Sequence, residues 1–367
     1  MFYFIVLLII CFLAALLSRR YPLRDKGGLN QKLPNPFGFV VPAVLFTVFS
    51  GLRNNLGDTY YNMHSFNLLT DDMPRPKITE NEFLSNYLLY AIRQITDKPQ
   101  LYIYIFAVFA CVPAIYILYK YSVAYELSIF LYVATSYYTF SFNGMWQYAA
   151  AGILLLGAKY LFSQEKNAWL KYALVVLVAY MFHSTAIIML PIFFIVRRKA
   201  WSVTTLAIIF VSVMGTLFFD AVLPKFLSVL VSQSDYSIYC ESGWFTNGTE
   251  QGSSFIRVIV VFVPVALAYL SRERIKSLGK TGDILVNLAV INFCFYLISV
   301  YNWIFARFAV YTSIYYIVLL TCIVMNSFKR KDKNIVYIMC IFLYIAYFWA
   351  VRYSIAGYTS YFLKGVF

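Results

Sequence analysis

"LYIYIFAVFACVPAIYILY", residues 101–119, carries no charged side chain from end to end. A helix needs about 20 apolar residues, rising 1.5 Å each, to cross the hydrocarbon core of a bilayer. This stretch meets that demand, and similar runs recur along all 367 residues. The composition is 62% hydrophobic and 20% aromatic with 13% charged residues, against about 25% charged in a soluble domain. Candidate spans lie at 2–17, 38–51, 101–119, 123–141, 145–162, 169–196, 201–219, 255–271, 283–301, 304–327 and 334–350. The fold class is all-α: a polytopic integral membrane protein with about 10–12 transmembrane helices, read as a single transmembrane domain over 1–367.

The net charge of +14 does not point to nucleic acid, because the basic residues sit in short clusters beside apolar runs. "SRRYPLRDKGG", "VRRKA", "SRERIKSLGK" and "FKRKDK" follow the positive-inside pattern. They place 18–37, the vicinity of Lys120, 159–171, 197–200, 272–282 and 328–333 on the cytoplasmic side. The apolar first 17 residues run directly into "SRRYPLRDK" with no small-residue cleavage site, so they read as a retained first span with its N-terminus outside. Five of the six cysteines fall in apolar spans, leaving only Cys240 in a loop, so no disulfide framework is expected. Two histidines and no Cys/His cluster argue against a structural zinc site, and no metal and no cofactor are expected.

One segment conflicts with simple threading. Basic clusters flank both ends of 169–196, which requires an even number of crossings, yet the segment is too short for two full helices. The expectation is a broken, re-entrant pair turning near "FHST" (182–185), a geometry tolerated in a membrane only where the backbone is buried in protein or lines a cavity. Two long loops then face outward. Within 52–100, Thr79 and Glu82 stand at capping-box spacing. Behind them an amphipathic helix is expected at about 80–96, with Phe83, Leu84, Tyr87, Leu88, Ala91, Ile92 and Ile95 on one face. The second loop, 220–254, is rich in Ser, Gly and Asn and contains an "NGT" sequon at 247–249, which carries no weight by itself.

Polar residues concentrate at the outer ends of the spans, beginning with "GLRNNLGDTYYNMHSF" (51–66). Arg53 and Asp58 open the first loop, Asn143 and Gln147 occupy the turn "SFNGMWQY", His183 lies at the expected break, and Arg307 sits inside "YNWIFARFAVY". An ionisable group within a span costs at least about 2.5 kcal/mol, so it is a functional candidate by default. Ordinary alternatives exist for each. Arg53 can snorkel at a helix end or pair with Asp58, His183 can be a packing residue, and Asn143 and Gln147 can bond helices together. His64 and the Asp71–Asp72 pair read as loop residues. Two arginines on one cavity suit a phosphate or pyrophosphate, since each guanidinium offers a planar fork of donors. A histidine beside them can act as general acid or base. No P-loop, dinucleotide fingerprint or GxSxG is present.

Five stretches in order, "GLRNNLGDTYYNMHSF", "ENEFLSNYLLYAI", "FNGMWQYAAAGILLLGAKYL", "FHSTAIIMLPIFFI" and "WIFARFAVYTSIYYIVLL", resemble the EpsG family of bacterial exopolysaccharide and capsule operons over about residues 40–327, and their wording suggests a member from a biofilm-matrix operon. That family is similar to Wzy-type polymerases, which join repeat units carried on undecaprenyl pyrophosphate at the outer leaflet of the cell membrane without metal or nucleotide sugar. The resemblance implies that Arg53 and Arg307 bind pyrophosphate, that His183 is the acid/base, and that Asp58 serves the acceptor or orients an arginine. Asn143 and Gln147 would contact saccharide. It also implies a lipid-linked oligosaccharide substrate in a lipid setting, with flippase and chain-length-control proteins as partners and no nucleic acid. Where the family often has an arginine before the glutamine, this chain has Trp146. Two other readings stand beside it: a flippase or exporter of the lipid-linked saccharide, which should show paired broken helices in two related halves, and a non-catalytic assembly subunit.

Overall fold

The structure, a computed structural model, describes residues 2–23, 32–70, 72–219, 252–351 and 358–360. Cys240, the 247–249 sequon, Asp71 and the loop 220–254 up to residue 251 lie outside them. Among the described residues the regular elements are all helices, with no strand, and they cluster into two compact units, Met1–Phe194 with Leu320–Phe367, and Ile195–Leu319.

The first unit holds α1 (Phe2–Arg20), α2 (Phe37–Gly51), α3 (Thr59–Asn67), α4 (Phe83–Arg93), α5 (Gln100–Tyr121), α6 (Tyr125–Ala134), α7 (Tyr137–Phe140), α8 (Met145–Leu156), α9 (Ala158–Phe162) and α10 (Ala168–Phe182). A 3-10 turn, Ser184–Ile188, leads into α11 (Met189–Val196). The second unit contains α12 (Val203–Leu217), α13 (Phe255–Leu270), α14 (Arg272–Ile275), α15 (Gly279–Ile298) and α16 (Ile304–Phe308). The chain returns to the first unit along α17 (Ser313–Asn326) and ends its described helices with α18 (Arg330–Val351). Among the described residues, three stretches are long and apolar enough to cross a membrane by themselves: Gln100–Tyr121, Arg272–Ile298 and Arg330–Val351. Shorter apolar helices make up the remaining expected spans, several of them as consecutive broken pieces. The chain is a multi-pass membrane protein.

The central helix is α5, 61% of whose apolar window is buried, against 17% in α18, which leaves most of its surface for lipid. Its neighbours α2 and α8 pack closely against it. Gly51 lies against the Tyr104 ring, and a Cβ at Gly152 would fall 2.0 Å from the Phe109 carbonyl oxygen. That second contact has a cause in the sequence. Pro113 lacks the N–H that would bond Phe109 O four residues back, and Gly152 brings its Cα onto the orphaned oxygen, where a weak C–H···O contact can form.

In α2 and α13 an interior proline raises the same problem, and tyrosine solves it. Pro42 in α2 orphans Gly38 O, and Tyr125 Oη of α6 donates to that oxygen at 2.8 Å. Pro264 in α13 orphans Val260 O, and Tyr316 Oη donates to it at 3.2 Å. Without water, an unpaired carbonyl at membrane depth costs several kcal/mol. A buried phenol, itself in need of an acceptor, offsets both deficits at once.

The expected reversal near 182–185 is present. Tyr172 of α10 and Phe193 of α11 stack with ring centroids 5.1 Å apart, although 21 residues of unbroken helix would separate them by about 31 Å. His183 breaks the helix with an extended backbone (φ −155°, ψ 122°). A second break has no counterpart in the sequence reading: Ile304–Tyr311 and Ser313–Asn326 bend by 63°. Buried Asn292 stabilises it, its Nδ2 reaching Ala309 O at 3.0 Å and the Thr312 and Ser313 hydroxyls at 2.9 Å.

Candidate functional site

The polar turn that follows α2 is built to be rigid. Arg53 is 1% exposed. Its Nε donates to Thr59 Oγ1 at 2.8 Å, and its Nη1 donates to Ser50 Oγ at 2.8 Å and to Ser50 O. The guanidinium lies 4.5 Å over the Phe142 ring. Burial draws its pKa down to about 10, which leaves it charged at neutral pH. Gln100 of α5 braces the same turn through Nε2, which donates to Gly51 O at 2.5 Å and to Arg53 O at 3.1 Å. Asn54 and Asn55 hold Thr359, near the far end of the chain: Asn54 N donates to Thr359 O at 3.1 Å and Thr359 N to Asn55 Oδ1 at 2.9 Å.

Asp58 is not within ion-pair distance of Arg53. Its Oδ2 accepts the Gly144 N–H at 2.8 Å and its own N–H bonds Phe142 O at 3.1 Å, so the turns at 51–59 and 141–145 are clasped together. The clasp depends on Gly57 (φ +60°), where a Cβ would meet Phe142 O at 2.6 Å and Asn143 Oδ1 at 2.7 Å. Asn143 therefore lies beside Gly57, in the same pair of turns as Asp58.

The second group of polar residues lies at the break after α10. Gln147, on the first turn of α8, is 3% exposed and reaches Thr185 Oγ1 at 3.4 Å, two residues beyond His183. Its neighbour Trp146, standing where the family resemblance implies an arginine, donates Nε1–H to Tyr102 Oη at 2.6 Å. A neutral donor thus fills that place and satisfies a tyrosine of the central helix. His183 Nδ1 is in ion-pair contact with Glu82 Oε1, and their side chains are 16% and 15% exposed.

Glu82 is the residue that sequence reasoning missed. Its spacing from Thr79 predicts a local capping box, but the structure corrects this: Glu82 is itself the N-cap of α4, in a left-handed conformation (φ 53°), with no side-chain cap bond. The carboxylate turns away from its own helix towards His183, and the same Oε1 accepts the Ser184 N–H at 3.3 Å. Ser85 Oγ, one turn on, donates to Phe182 O at 2.8 Å. The first turn of α4 (Phe83–Arg93) thus lies against the break and bonds its freed backbone groups. The local sequence marks Glu82 only as a capping-box residue and carries no sign of a partner 101 residues further on.

Arg53, Asp58, Asn143, Gln147 and His183 all belong to the first unit, at the ends of α2, α5, α8 and α10 away from the basic clusters. Arg307 belongs to the second, where its guanidinium lies 4.7 Å over Trp303. Among the described residues no three His, Cys, Asp or Glu side chains converge as a metal site would need.

The family pattern of the EpsG proteins matches residues 37–363 of the 367, which takes in both polar turns and both breaks. The chain belongs to the EpsG family. No curated protein and no solved structure gives a match. EpsG membership and the stacked apolar helices make this an exopolysaccharide-related, multi-pass membrane protein.

Proposed function

We propose that this EpsG-family chain is a Wzy-like polymerase of the bacterial cell membrane that builds a biofilm exopolysaccharide. It would transfer a growing glycan from undecaprenyl pyrophosphate to the next lipid-linked repeat unit at the outer face. An acceptor hydroxyl attacks the anomeric carbon of the donor, the new glycosidic C–O bond forms, and the C–O bond to pyrophosphate breaks. The hydroxyl proton passes to a base, and the lipid pyrophosphate leaves with its added negative charge. Such a reaction asks for a proton acceptor and for cationic stabilisation of the leaving group.

The observation that supports this reading is His183, a titratable side chain held at a helix break beside a carboxylate in an otherwise apolar bundle. Gln147 and Asn143 are the proposed saccharide contacts, and Asp58 positions them through its bond to Gly144. Arg53, enclosed by Ser50 and Thr59, contributes its charge through the turn it holds rather than by touching the lipid pyrophosphate. The pyrophosphate role expected of Arg307 is tested on its own by Arg307→Ala at normal abundance.

A flippase is the second reading, and the bend at Ile304–Asn326 favours it, since transporters pair broken helices. Cells lacking this protein separate the two. Their undecaprenyl-linked glycans are extracted, sized and assigned to a leaflet. Single repeat units held on the outer leaflet are expected of a lost polymerase. The same units confined to the inner leaflet would overturn that reading in favour of translocation. The flippase and chain-length-control proteins of the pathway are the proposed partners.

A further inference from the structure

From the contact between α4 and the break we infer that Glu82 is a positioning residue, holding His183 in the tautomer that serves as a base. This rests on the polymerase reading above. Glu82 has an ordinary structural alternative: its Oε1 caps Ser184 N while Ser85 caps Phe182 O, so α4 simply satisfies the backbone groups released at the break. That alternative leaves two facts without a cause. The carboxylate also faces the imidazole Nδ1, and the left-handed backbone that aims it there costs of order 1–3 kcal/mol in a residue other than glycine. Nδ1 meets that carboxylate by close approach rather than through an aligned hydrogen bond, and on the other side of the ring Nε2 is likewise shielded from solvent with no hydrogen-bond partner among the described residues.

The chemistry of that arrangement is directional. A carboxylate facing Nδ1 favours the tautomer with its proton there, which leaves a lone pair on Nε2. When Nε2 takes the acceptor hydroxyl's proton, the imidazolium is stabilised by the carboxylate of Glu82 beside it. The proton rests on Nε2 until it is released, and the electrons of the departing C–O bond leave with the pyrophosphate. The Thr185–Gln147 bond and the Trp146–Tyr102 bond fix the two elements that flank the ring. Glu82 thus supplies through a loop helix what a neighbouring span would otherwise have to carry within lipid.

The chain has only two histidines, so His64→Gln leaves His183 as the single imidazole in the full-length protein. In lipid nanodiscs with ¹⁵N-histidine, magnetic resonance reads its tautomer directly. The expected result is a proton on Nδ1, with Glu82→Gln shifting the ring towards the other tautomer while its amide oxygen still caps Ser184. Polymer extracted from cells carrying each variant at normal membrane abundance is the second readout. Glu82→Gln should cut product by about a hundredfold, within the range of a lost acid/base contribution. Glu82→Asp should recover part of it, and Glu82→Gln should add nothing to His183→Ala. Wild-type polymer from Glu82→Gln, with none from His183→Ala, would overturn the role of Glu82 alone and reduce it to a cap. Wild-type polymer from His183→Ala would overturn the use of His183 in the polymerase reading, and this inference with it.

Discussion

Arg53 shows how a residue chosen for its charge comes to be used for its shape. Its fork of donors is divided between Thr59 on one edge and Ser50 on the other, with the flat face on Phe142. An ammonium cannot reproduce that geometry, because it is a compact point charge without a planar fork. Arg53→Lys should therefore lower stability nearly as much as Arg53→Ala, by about 1–3 kcal/mol from buried groups left unpaired. Thermal unfolding of the purified protein in detergent checks this. A lysine variant as stable as wild type would mean that only the positive charge matters at this position. Asp58 is likewise legible as important but not as to its partner: the arginine five residues away is the obvious candidate, and the chain pairs it instead with a backbone N–H 86 residues on.

At the scale of the helix, the prolines of α2, α5 and α13 decide where neighbours must touch. Each removes one ladder bond at a known carbonyl, and each carbonyl meets a phenol or a glycine from another helix. The pairing predicts a coupled effect. Tyr125→Phe should destabilise the protein by about 1–3 kcal/mol, since it strands Gly38 O. In a Pro42→Ala background the same change should cost much less, because residue 42 then has an N–H of its own to give to Gly38 O within the helix. A double-mutant cycle on unfolding midpoints measures the difference, and strict additivity would show that the phenol does not serve that carbonyl.

Over the whole molecule, the reversal at His183 sets the topology. It returns Phe193 of α11 to the side from which α10 began, the arrangement that basic clusters at both ends of 169–196 call for. Tyr172→Cys with Phe193→Cys, in a background lacking the native cysteines, should be joined efficiently by a short bifunctional thiol reagent. A continuous helix would hold the two about 31 Å apart and give no product. On that same side, Arg19 of α1 bonds buried Glu126 of α6 at 2.7 Å, and Tyr337 of α18 donates to the same carboxylate oxygen at 3.2 Å. One acidic residue thereby ties the first and last described helices to the core of the first unit.

The sequence by itself determined the spans, their rough limits and the break near residue 183. Those follow from apolar run length and from the placement of basic clusters, which act along the chain or along the bilayer normal. It also marked Arg53, Asp58, Asn143, Gln147 and His183 as polar groups needing an explanation. Only the tertiary structure decided what those groups face: that Glu82 leaves its apparent capping box for His183, that Asp58 clasps Gly144, and that Arg53 is enclosed. The reason is the cost of an unpaired polar group away from water. That cost compels every such group to find a partner, but it does not say which, and the partners of Asp58 and Glu82 lie 86 and 102 residues away.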